Sequence, residues 1–101
     1  MLRLISILLI SILFVSSEQI TSDCKCKGIP LYGKVKVVEN FPDFKVKIVT
    51  NFPDLKVKIV ENFPDGCGKW KYVENFPDFT IKFVDNFPDF TIQYVDNFPG
   101  Q

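Results

Sequence analysis

The chain contains no histidine. That removes the commonest general base and the commonest protein metal ligand together. Every serine lies at or before Ser22, so a serine nucleophile with an imidazole base is excluded. The five glycines are scattered and form no phosphate-cradling loop. Neither charge sign is in excess: 12 Lys plus Arg face 12 Asp plus Glu. A strongly basic nucleic-acid footprint is therefore absent, and no nucleic-acid partner is expected. What remains points away from enzymes, and we assign no catalytic, cofactor-binding or metal-ligating residue and no cofactor. The 101 residues are 47% hydrophobic and 15% aromatic, which suits one small globular domain rather than a disordered chain.

Residues 1–17 read as a signal peptide. Arg3 precedes an apolar stretch from Leu4 to Val15, and the small residues Ser16 and Ser17 follow. Val15 and Ser17 suit the positions three and one before a signal-peptidase cut, placing cleavage after Ser17. As a helix, the stretch would span about 18 Å, short of a hydrocarbon core of about 30 Å. The expected product is secreted, periplasmic or cell-surface, with no membrane span in its mature form. Loss of Arg3 with the leader leaves the acids one ahead of the lysines.

The rest is built from a recurring unit. Asn-Phe-Pro occurs at Asn40, Asn51, Asn62, Asn75, Asn86 and Asn97, at spacings of 11, 11, 13, 11 and 11. The first five continue into Asp43, Asp54, Asp65, Asp78 and Asp89, and the last ends in Gly100. The long spacing contains Gly66 and Cys67, so three units stand on each side. We divide the chain into an arm with Cys-x-Cys (18–32) and a six-unit β domain (33–101).

Each unit alternates with a period of two. Phe44, Val46 and Ile48 share one parity, with Lys45 and Lys47 on the other. Phe79, Ile81 and Phe83 alternate likewise with Thr80 and Lys82. That is the half-buried strand pattern. The constant valines (Val38, Val49, Val60, Val73, Val84, Val95) have the lysine parity, which predicts burial on both faces at the strand ends. In the turn, Pro fixes φ and lacks a donor, so it stands outside the ladder. The preceding Phe is expected to be extended, and Pro-Asp to occupy the centre of a type I turn. The six turn phenylalanines (Phe41, Phe52, Phe63, Phe76, Phe87, Phe98) are expected to pack as an end layer of the core. Two architectures compete, a β-solenoid with one unit per coil and a compact six-stranded sandwich. The mid-chain insertion favours the sandwich, with two pseudo-symmetric three-strand halves.

Cys24 and Cys26 precede the first three units and Cys67 precedes the second three. Export favours disulfides, and one bridge from Cys24 or Cys26 to Cys67 would join equivalent points of the two halves. Closing a loop of roughly 40 residues contributes about 3–4 kcal/mol in the chain-entropy model. One thiol is then left over, open to an intermolecular bridge and a disulfide-linked dimer. The alternative is thiol redox chemistry through Cys24, Cys26 and Cys67, with Lys25 and Lys27 depressing a thiol pKa.

Two surface features remain. Carboxylates flank the turns in pairs (Glu39 with Asp43, Glu61 with Asp65, Glu74 with Asp78, Asp85 with Asp89), but without calcium-loop spacing. Lys34, Lys36, Lys45, Lys47, Lys56 and Lys58 make one face of the first half basic. Such a face could meet anionic glycans or lipids, though lysine there also guards strand edges.

The leading CKCKGIPLYGKVKVVE, the NFPD units, the mid-chain GCGKW and the terminal NFPG resemble the 7(1) septoil knot family of small proteins. The resemblance covers residues 24–101 and implies an all-β fold whose backbone is a deeply wound seven-crossing torus knot. It carries no established activity and no site residues. The sequence thus predicts an exported, non-enzymatic structural or binding module. Thiol redox and anionic-surface binding are the alternatives.

Overall fold

The computed structural model describes residues 20–101; the expected signal peptide and its expected cut lie outside the described residues. Two short strands, β1 (Lys25–Cys26) and β2 (Ile29–Pro30), form an antiparallel hairpin in the N-terminal arm. Its two-residue loop is Lys27-Gly28, both with positive φ, as a type I′ turn requires. Six strands follow: β3 (Gly33–Val37), β4 (Phe44–Ile48), β5 (Leu55–Ile59), β6 (Lys69–Tyr72), β7 (Phe79–Phe83) and β8 (Phe90–Tyr94). No helix occurs among the described residues.

The six strands close into a barrel in the order β3-β6-β5-β8-β4-β7, and every pairing is parallel. Every neighbour in that ring comes from the other half of the chain. The halves are thus interleaved strand by strand in a closed barrel, and they do not face each other as a sandwich. Each strand also staggers steeply past its neighbours. β7 meets β3 at Phe79 opposite Val35, but meets β4 two residues later, at Ile81 opposite Phe44.

The period-two pattern fills the barrel with the first and third residues of each five-residue strand. Val35, Phe44, Val46, Leu55, Val57, Ile81 and Ile92 are fully buried, and Phe79 and Phe90 nearly so. Phe44 takes Phe79 and Phe90 edge-on at centroid distances of 5.7 and 5.4 Å. Trp70 meets Phe79 edge-on at 5.6 Å, and its indole N–H donates to the Leu31 carbonyl at 3.1 Å. Each such side chain contributes roughly 1.5–3 kcal/mol of transfer free energy.

The arm closes the end at which the strands begin. Leu31 and Cys26 are fully buried there, and the Lys27 ammonium lies 6.0 Å from the Phe44 ring centroid. At the opposite end the fifth residues share the inward parity but stay exposed: Val37, Ile48, Ile59, Phe83 and Tyr94 are 38–48% accessible. Ile48 and Phe83 therefore depart from the expected burial, because no described residue covers the mouth where the strands stop.

The six constant valines are half-buried rather than fully covered. Each extends the ladder by one backbone hydrogen bond. Val38 donates to Ile81, Val49 to Ile92, Val60 to Trp70, Val73 to Val35, Val84 to Val46 and Val95 to Val57, all at 2.8–2.9 Å.

Candidate functional site

Parallel strands need connections that return to the starting end, and only a few residues separate these strands. The hydrogen bonds show how the chain does it. Val49 donates to Ile92 on one side of β8, and Asp54 donates to Thr91 on its other side. Residues 49–54 therefore arch over the outside of β8 at mid-height. The Gln93 side-chain amide donates to the Thr50 carbonyl at 2.9 Å beneath the arch. The same construction recurs over β7 (38–43), β3 (73–78), β4 (84–89) and β5 (95–100). Each arch spans a strand of the other half. The segment between β5 and β6 differs, because those strands are adjacent; there Asp65 donates locally to the Phe63 carbonyl.

Each arch is pinned where it lands. The Asp78 carboxylate accepts the Lys34 N–H at 2.8 Å, and Asp89 accepts the Lys45 N–H at 2.7 Å. Asp43 and Asp54 accept the N–H and the hydroxyl of Thr80 and Thr91, respectively. Asp43, Asp78 and Asp89, the turn members of three of the four acidic pairs, are thus engaged by backbone donors, whereas Asp65 of the fourth has only an ion pair with Lys69 at 4.0 Å. Among the described residues no group of three or more Cys, Asp or Glu could hold a metal ion. Gly33 is buried beside one landing point, where a Cβ would collide with the Asp78 carboxylate. Gly68, with φ +82, sits so close to the Lys56 carbonyl and the Gly100 nitrogen that only glycine fits.

The turn phenylalanines contradict the sequence expectation twice over. They form no core layer: Phe41 and Phe52 are 97% exposed, and Phe63, Phe76, Phe87 and Phe98 are 79–91% exposed. Nor are they extended, since all six have φ between 51° and 58°. The reason is steric. The six residues of each arch must clear a strand and return to its other side. A left-handed residue followed by the fixed φ of proline makes that reversal in the five arches, and the local β5–β6 connection uses the same pair at Phe63-Pro64. The prolines consequently sit half-buried, and the rings point outward. A bulky side chain in this region costs of order 1–3 kcal/mol. The signal was available in the sequence, since positions one and three of each strand already supply a full set of core side chains.

The lysines are less basic as a surface than their number suggests. Lys47 lines one small cleft with Asp85, and Lys58 lines another with Asp96. The first acid of each of these arches thus lies beside a lysine of the strand it crosses. Over β8 the two positions are Thr50 and Gln93, both neutral. Lys34, Lys36, Lys45 and Lys56 lie on the same outer faces.

Cys24 bridges Cys67 with a Cα–Cα distance of 5.9 Å, across 43 residues of sequence. Cys24 is buried and Cys67 half-buried. Cys26 stands outside the bridge with no exposed surface, so an intermolecular disulfide there would first require opening the arm. Near the open mouth, the Tyr72 and Tyr94 hydroxyls are 2.7 Å apart. Burial, and secondarily the Tyr94 hydroxyl, push the Tyr72 phenol well above the usual tyrosine range. No helix of the described residues is long and apolar enough to cross a membrane.

The family model described as the 7(1) septoil knot domain matches residues 28–101. That span includes all six strands, the five arches and Cys67, and begins after Cys24 and Cys26. No curated protein matches the chain.

Proposed function

The chain belongs to the 7(1) septoil knot domain family, and we propose that it works outside the cytoplasm as a non-enzymatic structural or binding module. One observation carries this reading: six exposed phenylalanines project from the turns, five of them from arches held at both ends by backbone hydrogen bonds. Large exposed apolar side chains in a strained, repeatedly pinned backbone suit a contact surface. The Cys24–Cys67 bridge suits an oxidising compartment.

The thiol-redox reading has less support. Its disulfide is buried at Cys24, and its third sulfur has no exposed surface. Anionic-surface binding is weakened by the acids that share clefts with Lys47 and Lys58.

The test is intact mass and thiol alkylation of the protein recovered outside the cytoplasm. The reading expects a species beginning at Glu18, two hydrogens lighter than the reduced chain, that is inert in exchange with a model disulfide. A chain retaining its leader inside the cytoplasm, or rapid thiol exchange, would overturn it.

A further inference from the structure

We propose that the exposed phenylalanines form a belt through which copies of this chain associate side by side. The inference rests on the reading of the protein as a structural or binding module and names its partner: a second copy.

The geometry supplies the first argument. The five arches cross their strands at mid-height, over β3, β4, β5, β7 and β8, and Phe63 stands in the local β5–β6 connection. Their phenylalanines therefore stand around the waist of the barrel rather than on one side. A flat surface, such as a bilayer, could touch only a minority of them at once. Neighbouring barrels with parallel axes can each meet one or two, so a belt suits lateral packing in several directions. Because every arch presents the same residue, phenylalanine meets phenylalanine whichever arches face each other, and aromatic pairs are favourable in edge-on or offset geometry.

Charge supplies the second. From residue 18 onward the acids exceed the lysines by only one, and the two alternate finely enough to share clefts, as Lys47 does with Asp85 and Lys58 with Asp96. Two such sides approach without a field of one sign to oppose them.

Area sets the strength. Two phenylalanines from each copy would bury roughly 600–1,000 Å² in total, below the ~1,200 Å² at which specific interfaces usually begin. One contact is therefore weak, and several around the belt reinforce one another. The chain should be monomeric when dilute and should assemble as concentration rises.

The test is sedimentation velocity of the disulfide-bonded chain from residue 18 onward, across a concentration range reaching millimolar. It is run beside a variant carrying Phe41→Asn, Phe52→Asn, Phe63→Asn, Phe76→Asn, Phe87→Asn and Phe98→Asn together. Asparagine tolerates left-handed backbone, so that variant should keep its fold, checked by near-ultraviolet dichroism. The expected result is concentration-dependent growth of the native chain and at least a tenfold weaker association of the variant. A native chain that stays monomeric throughout, or a folded variant that associates equally well, overturns the belt. So does a native chain that remains monomeric while pelleting with zwitterionic lipid vesicles. Thiol exchange measured on the same samples separates the two levels. An inert monomer removes the belt alone, whereas an active thiol–disulfide exchanger removes the module reading beneath it.

Discussion

Asp43 and Thr80, 37 residues apart, hold each other by four hydrogen bonds. The Asp43 carboxylate accepts the Thr80 N–H at 2.8 Å and its hydroxyl at 3.2 Å. In return, the Asp43 N–H is shared between the Thr80 hydroxyl at 3.0 Å and carbonyl at 3.1 Å. Asp54 and Thr91 repeat the arrangement. A turn in one half is thereby fastened to a strand of the other.

Loss of that carboxylate should be felt. Asp43→Ala removes two acceptor contacts at a partly exposed site and should cost about 1–2 kcal/mol. Asp65→Ala is the matched control. Its carboxylate has only an exposed ion pair with Lys69 at 4.0 Å, worth under about 0.5 kcal/mol. Urea unfolding of both variants measures the difference, and equal effects would mean that the clamp contributes nothing specific.

The turn phenylalanines predict the opposite sign. Each stands in left-handed backbone with its ring in solvent, so Phe52→Asn removes strain and little packing. It should stabilise the chain by about 0.5–1 kcal/mol. A loss of more than about 1 kcal/mol would show that the ring packs on the protein.

Tyr72 gives a dependence on pH. Its folded pKa is raised above the unfolded value of about 10. Its contribution is therefore complete below pH ~10 and falls as pH rises further, since only the unfolded state readily releases the proton. Relative to Tyr72→Phe, the native chain should lose stability above that pH, by under about 1 kcal/mol per unit once partial exposure is discounted. Parallel stability curves for the two proteins between pH 9 and 11.5 would contradict the assignment.

The interleaving predicts slow folding. No strand has a barrel neighbour from its own half, and each arch must end up outside a strand of the other half. Neither half can form a sheet alone, so the ends must be carried past one another before pairing is rewarded. After full unfolding in reductant, refolding should be slower than for unknotted β domains of this size. A prolyl isomerase should speed one slow phase, from the seven prolines, and leave the threading phase unchanged. Complete refolding within milliseconds would count against the interleaved topology.

The strands and their inner parity were legible, because Phe44, Val46, Leu55, Val57, Ile81 and Ile92 carry a local period that does not depend on partners. Strand order was not legible. The alternation of the halves rests on which backbone carbonyl Val49 or Asp54 reaches, and no side-chain pattern encodes that. The place of Cys67 between the halves marks it as a bridge partner, as the structure has it. The choice of Cys24 over Cys26 came from the hairpin, whose turn buries Cys26. Hydrophobicity alone places the turn phenylalanines inside. The half-buried prolines and the left-handed backbone before them place them outside.

Hydroxyl-radical footprinting of the dilute, disulfide-bonded protein tests the outward belt most directly. Phe41, Phe52, Phe63, Phe76, Phe87 and Phe98 should be modified at rates close to those of the unfolded chain. Phe44, Phe79 and Phe90 should be strongly protected. Protection of the turn phenylalanines comparable with that of Phe44 would contradict the belt and everything built on it.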